Sequence, residues 1–333
     1  MEKHAVIRFA APPVLAGWAC AGGPREAAGP LAAGFDLLLP DSRLGCASWE
    51  QAEARLLEHT VRACLHKTGR AAHQIDLALS GDLQAQCTAS GYAMRQLGLP
   101  FAGVYGACST MAETLALGAC LCAGGAGQEI LALTGSHFCA AERQFRMPLH
   151  YGGMRTPTAQ TTATAAGCVL LHRSGPGVPV RSALFGRVQD LGVKDGSNMG
   201  AAMAPAAADT LLRYFQDTDT APADFDVVFT GDLGQVGSEL LLQLMADAGV
   251  PLPNHQDCGC LLYGADPRMG AGASGCGCSA AVLCSTILPR LQQGKYRRVL
   301  FAATGALMSQ TTVLQKESIP GVAHLVELAA PAD

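Results

Sequence analysis

The chain writes one block of sequence twice. Ile75-Asp76-Leu77-Ala78-Leu79-Ser80-Gly81-Asp82-Leu83 returns 150 residues later as Phe225-Asp226-Val227-Val228-Phe229-Thr230-Gly231-Asp232-Leu233, and Cys108-Ser109 returns 170 residues later as Cys278-Ser279. Leu131-Ala132-Leu133-Thr134-Gly135 returns at that second offset as Phe301-Ala302-Ala303-Thr304-Gly305. One insertion of 20 residues, placed around Pro251 to Met269, accounts for both offsets. Two like αβ halves are expected to pack about a pseudo-two-fold axis, residues 1–175 against 176–333, with the glycines and prolines of 174–179 as the junction.

Local patterns agree with such halves. Ser48 followed by Gln51 reads as a capping box that opens a helix from about Trp49 to Lys67, and Gly69 ends it. Residues 75–80 and 101–105 read as short buried strands, and a run of small and apolar residues from Gly106 to Cys122 as a helix buried on most sides. After a strand at 129–135 the second half repeats the series. It gives a strand at 225–230, a helix over 237–248, a buried helix over 278–293 and a strand at 297–304. Strands alternating with helices predict α/β layers with largely parallel sheets. Pro205 is expected in the first turn of a further helix between the halves.

Composition narrows the function classes. With 49% apolar and 15% charged residues, the chain buries much of its surface. A net charge of −4 argues against a general nucleic-acid binder, which needs a basic excess. No stretch approaches the roughly 18 uninterrupted apolar residues of a membrane span, and Met1-Glu2-Lys3-His4 opens no signal-peptide core. The expected location is therefore cytoplasmic. The 14 cysteines lie in apolar and small-residue runs, where thiols behave as small hydrophobes in a reducing compartment. Cys258/Cys260 and Cys276/Cys278 are spaced by one residue, too close for a zinc knuckle, so no metal site is expected.

Cys108 stands at a strand-to-helix turn, where a helix N-terminus can lower a thiol pKa. Both an acyl-accepting nucleophile and a small core residue suit that position. A duplicated five-layer αβαβα body with a cysteine opening its first buried helix resembles the thiolase and ketoacyl-synthase superfamily. The resemblance implies that the cysteine needs a histidine, and a second histidine or an asparagine, from the second half. Here those places read Gly231-Asp232-Leu233-Gly234 and Gly275-Cys276-Gly277-Cys278. The expectation is a retained pocket without its proton-transfer groups, hence binding rather than condensation.

A narrower likeness runs through most of the chain. It is carried by Ala27 to Leu31, Ser136 to Phe145 with Arg146, Tyr151-Gly152-Gly153, Arg155 to Ala159, Asp190-Leu191-Gly192, Met203 to Thr210, Thr304 to Leu307 and Gln315 to Pro320. In these motifs the chain resembles the stage V sporulation protein AD family. That resemblance implies a protein that binds pyridine-2,6-dicarboxylate (dipicolinate), with calcium possible beside it, for uptake into the developing spore. It implies a peripheral place at the inner spore (forespore) membrane and polytopic membrane subunits as partners, while the superfamily likeness implies a homodimer. The alternative is a working acyltransferase or condensing enzyme that uses Cys108 and acyl-CoA.

A planar dianion calls for paired cationic donors, and arginine's fork matches a carboxylate. Arg143, Arg146 and Arg155 are the candidates, each also readable as a solvated charge or, through Glu142, an ion pair. His137 follows the strand that ends at Gly135 and is expected to face the pocket around Cys108, whereas His150 reads as a surface or dimer residue. Asp82 and Asp232 hold matched places, so capping is their first explanation; Asp232 also stands where it could approach Cys108.

Overall fold

A computed structural model describes residues 5–145 and 156–332. Ten strands carry the fold: β1 (Val14–Gly22), β2 (Leu77–Gly81), β3 (Phe101–Gly103), β4 (Glu129–Ser136), β5 (Ala165–His172), β6 (Val178–Leu184), β7 (Val227–Thr230), β8 (His255–Asp257), β9 (Arg298–Ala306) and β10 (Gly321–Ala329). They lie in the order β3-β2-β4-β5-β1 and then β8-β7-β9-β10-β6, so the second five repeat the first strand for strand. β1 and β6 pair antiparallel at Val14 and Pro179 and join the two sets into one sheet.

The duplication extends to strand direction. In the first set β2 pairs parallel with β3 and β4, while β5 runs antiparallel to β4 and β1. In the second set β7 pairs parallel with β8 and β9, while β10 runs antiparallel to β9 and β6. Largely parallel sheets are thus found, four strands of each set running one way and only β5 or β10 against them. The fifth strand of each half in chain order returns beside the fourth, which reverses its direction, and the first strand pairs on its far side. Strands such as β9 and β10 read as apolar runs because both faces are covered.

Eight helices cover the strands: α1 (Trp49–Thr68), α2 (Thr88–Leu97), α3 (Thr110–Ala123), α4 (Phe138–Phe145), α5 (Met199–Thr218), α6 (Gly234–Asp247), α7 (Cys258–Tyr263) and α8 (Cys276–Val282). Three apolar clusters follow from them. α1 and α2 close one outer face of the first five strands, α5 and α6 an outer face of the second five, and α3 and α8 lie between the two sets. Ser48 Oγ accepts from Gln51 N at 3.2 Å, as the capping pattern predicts, although the Gln51 side chain reaches back to Ala47 N instead of Ser48 N.

Three boundaries differ from the sequence reading. α5 begins at Met199, capped by Asn198, so Pro205 sits inside the helix and not in its first turn. The early start packs Gly200 against Gly237 of α6, where an added carbon would meet the facing backbone at 2.5 to 3.0 Å. α6 begins at Gly234 because the Asp257 carboxylate holds the N–H groups of Leu233 and Gly234, both at 2.9 Å. α8 starts at Cys276 and passes through a π-turn at Leu283–Ile287 into a last helical piece, Leu288–Gln292. Much of the second half's extra length lies between β8 and α8, where α7 is found.

Candidate functional site

The site forms where the ends of β4, β7 and β9 meet the starts of α3 and α8. Cys108 lies in the turn Ala107–Ser109 that opens α3, and Ala107 takes a left-handed φ of 49°. A non-glycine residue held there costs about 1–3 kcal/mol, so the surrounding structure imposes the turn. Part of that pressure comes from Gly305 of β9. A carbon added at Gly305 would lie 2.1 Å from the Gly106 carbonyl oxygen and 3.3 Å from the Cys108 nitrogen. Only glycine lets the strand pass so close to the turn.

Asp232 follows β7 and is fully buried. Its Oδ1 accepts from Thr304 Oγ1 at 3.0 Å, and its Oδ2 accepts from Gly275 N at 2.9 Å. Ser274 Oγ stands 3.4 Å from the same Oδ2. Its sequence counterpart Asp82 behaves differently, taking the N–H groups of Gln84 and Ser90 at 2.9 and 2.7 Å in a plain capping role. In the second half Asp257 supplies the capping contacts, and the Asp232 carboxyl is turned toward the cysteine. Capping, the first explanation for both aspartates, holds for Asp82 and is corrected for Asp232.

The two groups set each other's protonation. Burial pushes the Cys108 thiol well above its ordinary range, and the Asp232 carboxyl raises it further. Burial likewise pushes Asp232 up to about 7; contacts with the thiol, Gly275 N and Thr304 oppose that rise, and the neighbouring Asp257 charge adds to it. The idea that the helix N-terminus would activate the thiol is therefore reversed, because desolvation and a carboxyl neighbour outweigh it. Asp232 at about 7 is protonated for part of the time at neutral pH, so it can donate a hydrogen bond, which an ionised aspartate cannot.

A narrow cavity, with room of about 40 Å³, leads from the surface to Cys108. Leu83, Tyr105, Phe145, Met199 and Met308 supply its apolar walls, and Glu142, Gln160, Thr162, Ser197 and Ser274 its polar groups. Gln160 spends its amide N–H groups on the backbone carbonyls of Asp232 and Ala273, at 2.7 and 2.8 Å. The short parallel pairing of Thr161–Thr162 with Ala273–Ser274 holds these walls together across the two halves. Among the described residues, no arginine, lysine or histidine lines the cavity.

The other sequence candidates fall elsewhere. His137 is buried, but its Nε2 bonds the Ser42 carbonyl at 2.8 Å, its Nδ1 accepts from Cys139 N at 3.2 Å, and its ring stacks on Trp49. Both nitrogens are engaged, so the expectation that it faces the Cys108 pocket is corrected. Arg143 is exposed and stands 3.7 Å from Glu50, away from the cavity walls. Arg146, His150 and Arg155 lie outside the described residues, between Phe145 and Gln160, which both line the cavity. Sequence reasoning misses Thr304, Ser274 and Gly275 as site residues. It shows Thr304 and Gly305 only as part of the repeat, and the Gly275 run only as the place of a lost asparagine. Among the described residues no group of three His, Cys, Asp or Glu side chains could hold a metal ion.

The model of stage V sporulation protein AD (SpoVAD) matches residues 3–329. The chain belongs to that family. It is 44% identical over 305 residues to the stage V sporulation protein AD of Bacillus subtilis (strain 168), covering 91% of this chain and 90% of that one. Solved condensing enzymes share the fold. 3-Oxoacyl-[acyl-carrier-protein] synthase III from Aquifex aeolicus VF5 superposes with a TM-score of 0.59 at 11% identity, over 94% of this chain and 99% of that one. A histidine-to-aspartate variant of OleA from Xanthomonas campestris gives a TM-score of 0.60 at 12% identity, over 97% and 100%. At such identities the likeness is one of architecture, and it makes this family member's fold thiolase-like. Among its described residues no helix is long and apolar enough to cross a membrane.

Proposed function

We propose that this sporulation protein binds dipicolinate in the Cys108 cavity and serves its uptake into the developing spore, on a fold that no longer turns over an acyl substrate. One observation carries the reading: the cysteine at the nucleophile position is buried against a carboxyl, and burial first and the carboxyl second keep its thiol neutral. An acyl-accepting cysteine needs the opposite, a cationic or basic partner that favours thiolate. The cavity is narrow and must widen to admit a ring, and its apolar walls suit an aromatic one. For the carboxylates it offers the Ser274 and Thr162 hydroxyls, with Asp232 buried behind Ser274. Arg146 and Arg155 remain proposed cationic partners. Calcium, entering with the ligand as cargo, would offset the charges of Glu142 and Asp232.

The same reading includes a homodimer and peripheral attachment to membrane subunits of the spore's uptake machinery. The open edge at β3 supports the dimer, since Phe101 and Tyr105 stay exposed beside unpaired backbone.

Calorimetric titration with dipicolinate tests the proposal. Saturable binding by the wild type, lost when Ala141→Phe fills the cavity, supports it. The acyltransferase reading draws on the strained turn at Ala107, which presents Cys108 at the start of a helix. A stable thioester after incubation with acyl-CoA, absent from Cys108→Ala, would favour that reading instead.

A further inference from the structure

A second groove lies apart from the Cys108 cavity, beside the outer end of β6. It is lined by Arg8, Arg181, Arg297 and Arg298, with Glu327 as the acid in its wall. Four guanidinium groups against one carboxylate make a concentrated positive site on a chain whose net charge is −4. The site has a built floor. Strand pairing sets Arg8 opposite Ser182 and Ser182 opposite Glu327, so the three share one row across the sheet. Glu327 Oε2 accepts from Tyr214 at 2.8 Å and from Ser182 at 3.0 Å, while Oε1 holds Arg298 through two nitrogens at 3.0 and 2.8 Å. Arg298 is fixed in place by these bonds and by the Phe225 ring, 4.7 Å away.

The acids nearby do not neutralise the rest. Asp217 gives its Oδ2 to the N–H groups of Ala5 and Val6, and Asp226 gives its Oδ2 to those of Arg297 and Arg298. The Arg297 charge does help hold Asp226 below its ordinary range, after burial and the backbone bonds have had their larger effects. Arg8 donates to the Asp217 carbonyl at 3.0 Å, at the end of α5. Arg181 and Arg297 have no carboxylate within 4.0 Å among the described residues, and both are exposed. Two guanidinium forks are thus left open beside one that is fixed.

We infer that this groove is a binding site for a phosphate group. Tetrahedral phosphate accepts from several forks at once. The groove is open along its length, so it admits a phosphate carried on a lipid headgroup as well as a free one. Nothing in the inference depends on what occupies the Cys108 cavity.

The test uses the full chain and the double variant Arg181→Gln/Arg297→Gln, with Arg62→Gln/Arg95→Gln as a control that removes equal charge elsewhere. Co-sedimentation with phosphatidylglycerol and phosphatidylcholine vesicles reads the lipid source, and calorimetry with inorganic pyrophosphate reads the free one. A surface arginine near an anionic membrane contributes about five-fold each, so the double variant is expected to lose roughly 25-fold while the control keeps its binding. Vesicle binding lost in the double variant assigns the site to a headgroup; pyrophosphate binding lost without any vesicle binding assigns it to a soluble phosphate. No binding of either probe by the wild type, or equal binding by wild type and double variant, overturns the inference. Melting temperature checks that the variants are folded.

Discussion

The Asp232 carboxyl and the Cys108 thiol face each other at the inner end of the cavity, and burial together with this contact keeps the thiol protonated. Replacing the carboxyl with an amide of the same shape removes the charge that raises the thiol. Asp232→Asn is therefore expected to lower the pH at which Cys108 reacts with a small alkylating agent. The rate of Cys108 modification against pH, followed by peptide mass, checks this; an unchanged profile would mean that burial alone holds the thiol.

The same aspartate gives stability a pH dependence. Its pKa rises from 3.8 in the unfolded chain to about 7 in the fold, so the folded state holds the extra proton between those values. Stability contributed by that proton is present at low pH and lost as pH climbs from about 4 to about 7, a loss of about 4 kcal/mol at most. Urea unfolding at pH 5 and pH 8 is expected to show a smaller difference for Asp232→Asn than for the wild type.

Ligand affinity should follow the same titration. Ionised Asp232, behind the cavity wall, repels a dianion, so the wild type is expected to bind more tightly at pH 6 than at pH 8, and Asp232→Asn with little pH dependence. Calorimetry at the two pH values reads the result.

His137 and the arginines separate in a binding assay. With both ring nitrogens bonded away from the cavity, His137→Ala is expected to cost about 1–3 kcal/mol of folding stability in urea and to leave the dissociation constant of the folded protein unchanged. Arg143→Gln is expected to be silent in binding, because the side chain sits by Glu50. Arg146→Gln and Arg155→Gln are expected to weaken dipicolinate binding by about 10- to 100-fold, as loss of a charge-assisted partner does.

Gly305→Ala tests the close passage of β9 over the cysteine turn. The added carbon has no room against the Gly106 carbonyl, so either the turn or the strand must shift. The expected result is a drop of at least about 2 kcal/mol in stability together with lost dipicolinate binding.

The repeat made most of this architecture legible. Matching Ile75–Leu83 to Phe225–Leu233 placed β2 and β7, and the second offset placed β4 with β9 and α3 with α8. Which strand runs against the others was not legible, because a buried strand reads as an apolar run whether it lies parallel or antiparallel to its neighbour. Pro205 misled because a missing N–H is tolerated in mid-helix when packing on both sides holds the element. Within the site, Cys108 and Asp232 could be picked out from position and lost partners. Their contact could not, since it depends on Asp257, 25 residues further on, taking over the capping role. His137 misled for a related reason: a residue just past a strand can turn either way, and here the Ser42 carbonyl and the Trp49 ring draw it aside.

A crystal soaked with dipicolinate tests the central claim most directly. The pyridine ring is expected between the apolar walls near Met308 and Phe145, with a carboxylate beside Ser274 and an unmodified Cys108 sulfur next to it. An empty cavity at saturating ligand, with dipicolinate bound elsewhere or not at all, would contradict it.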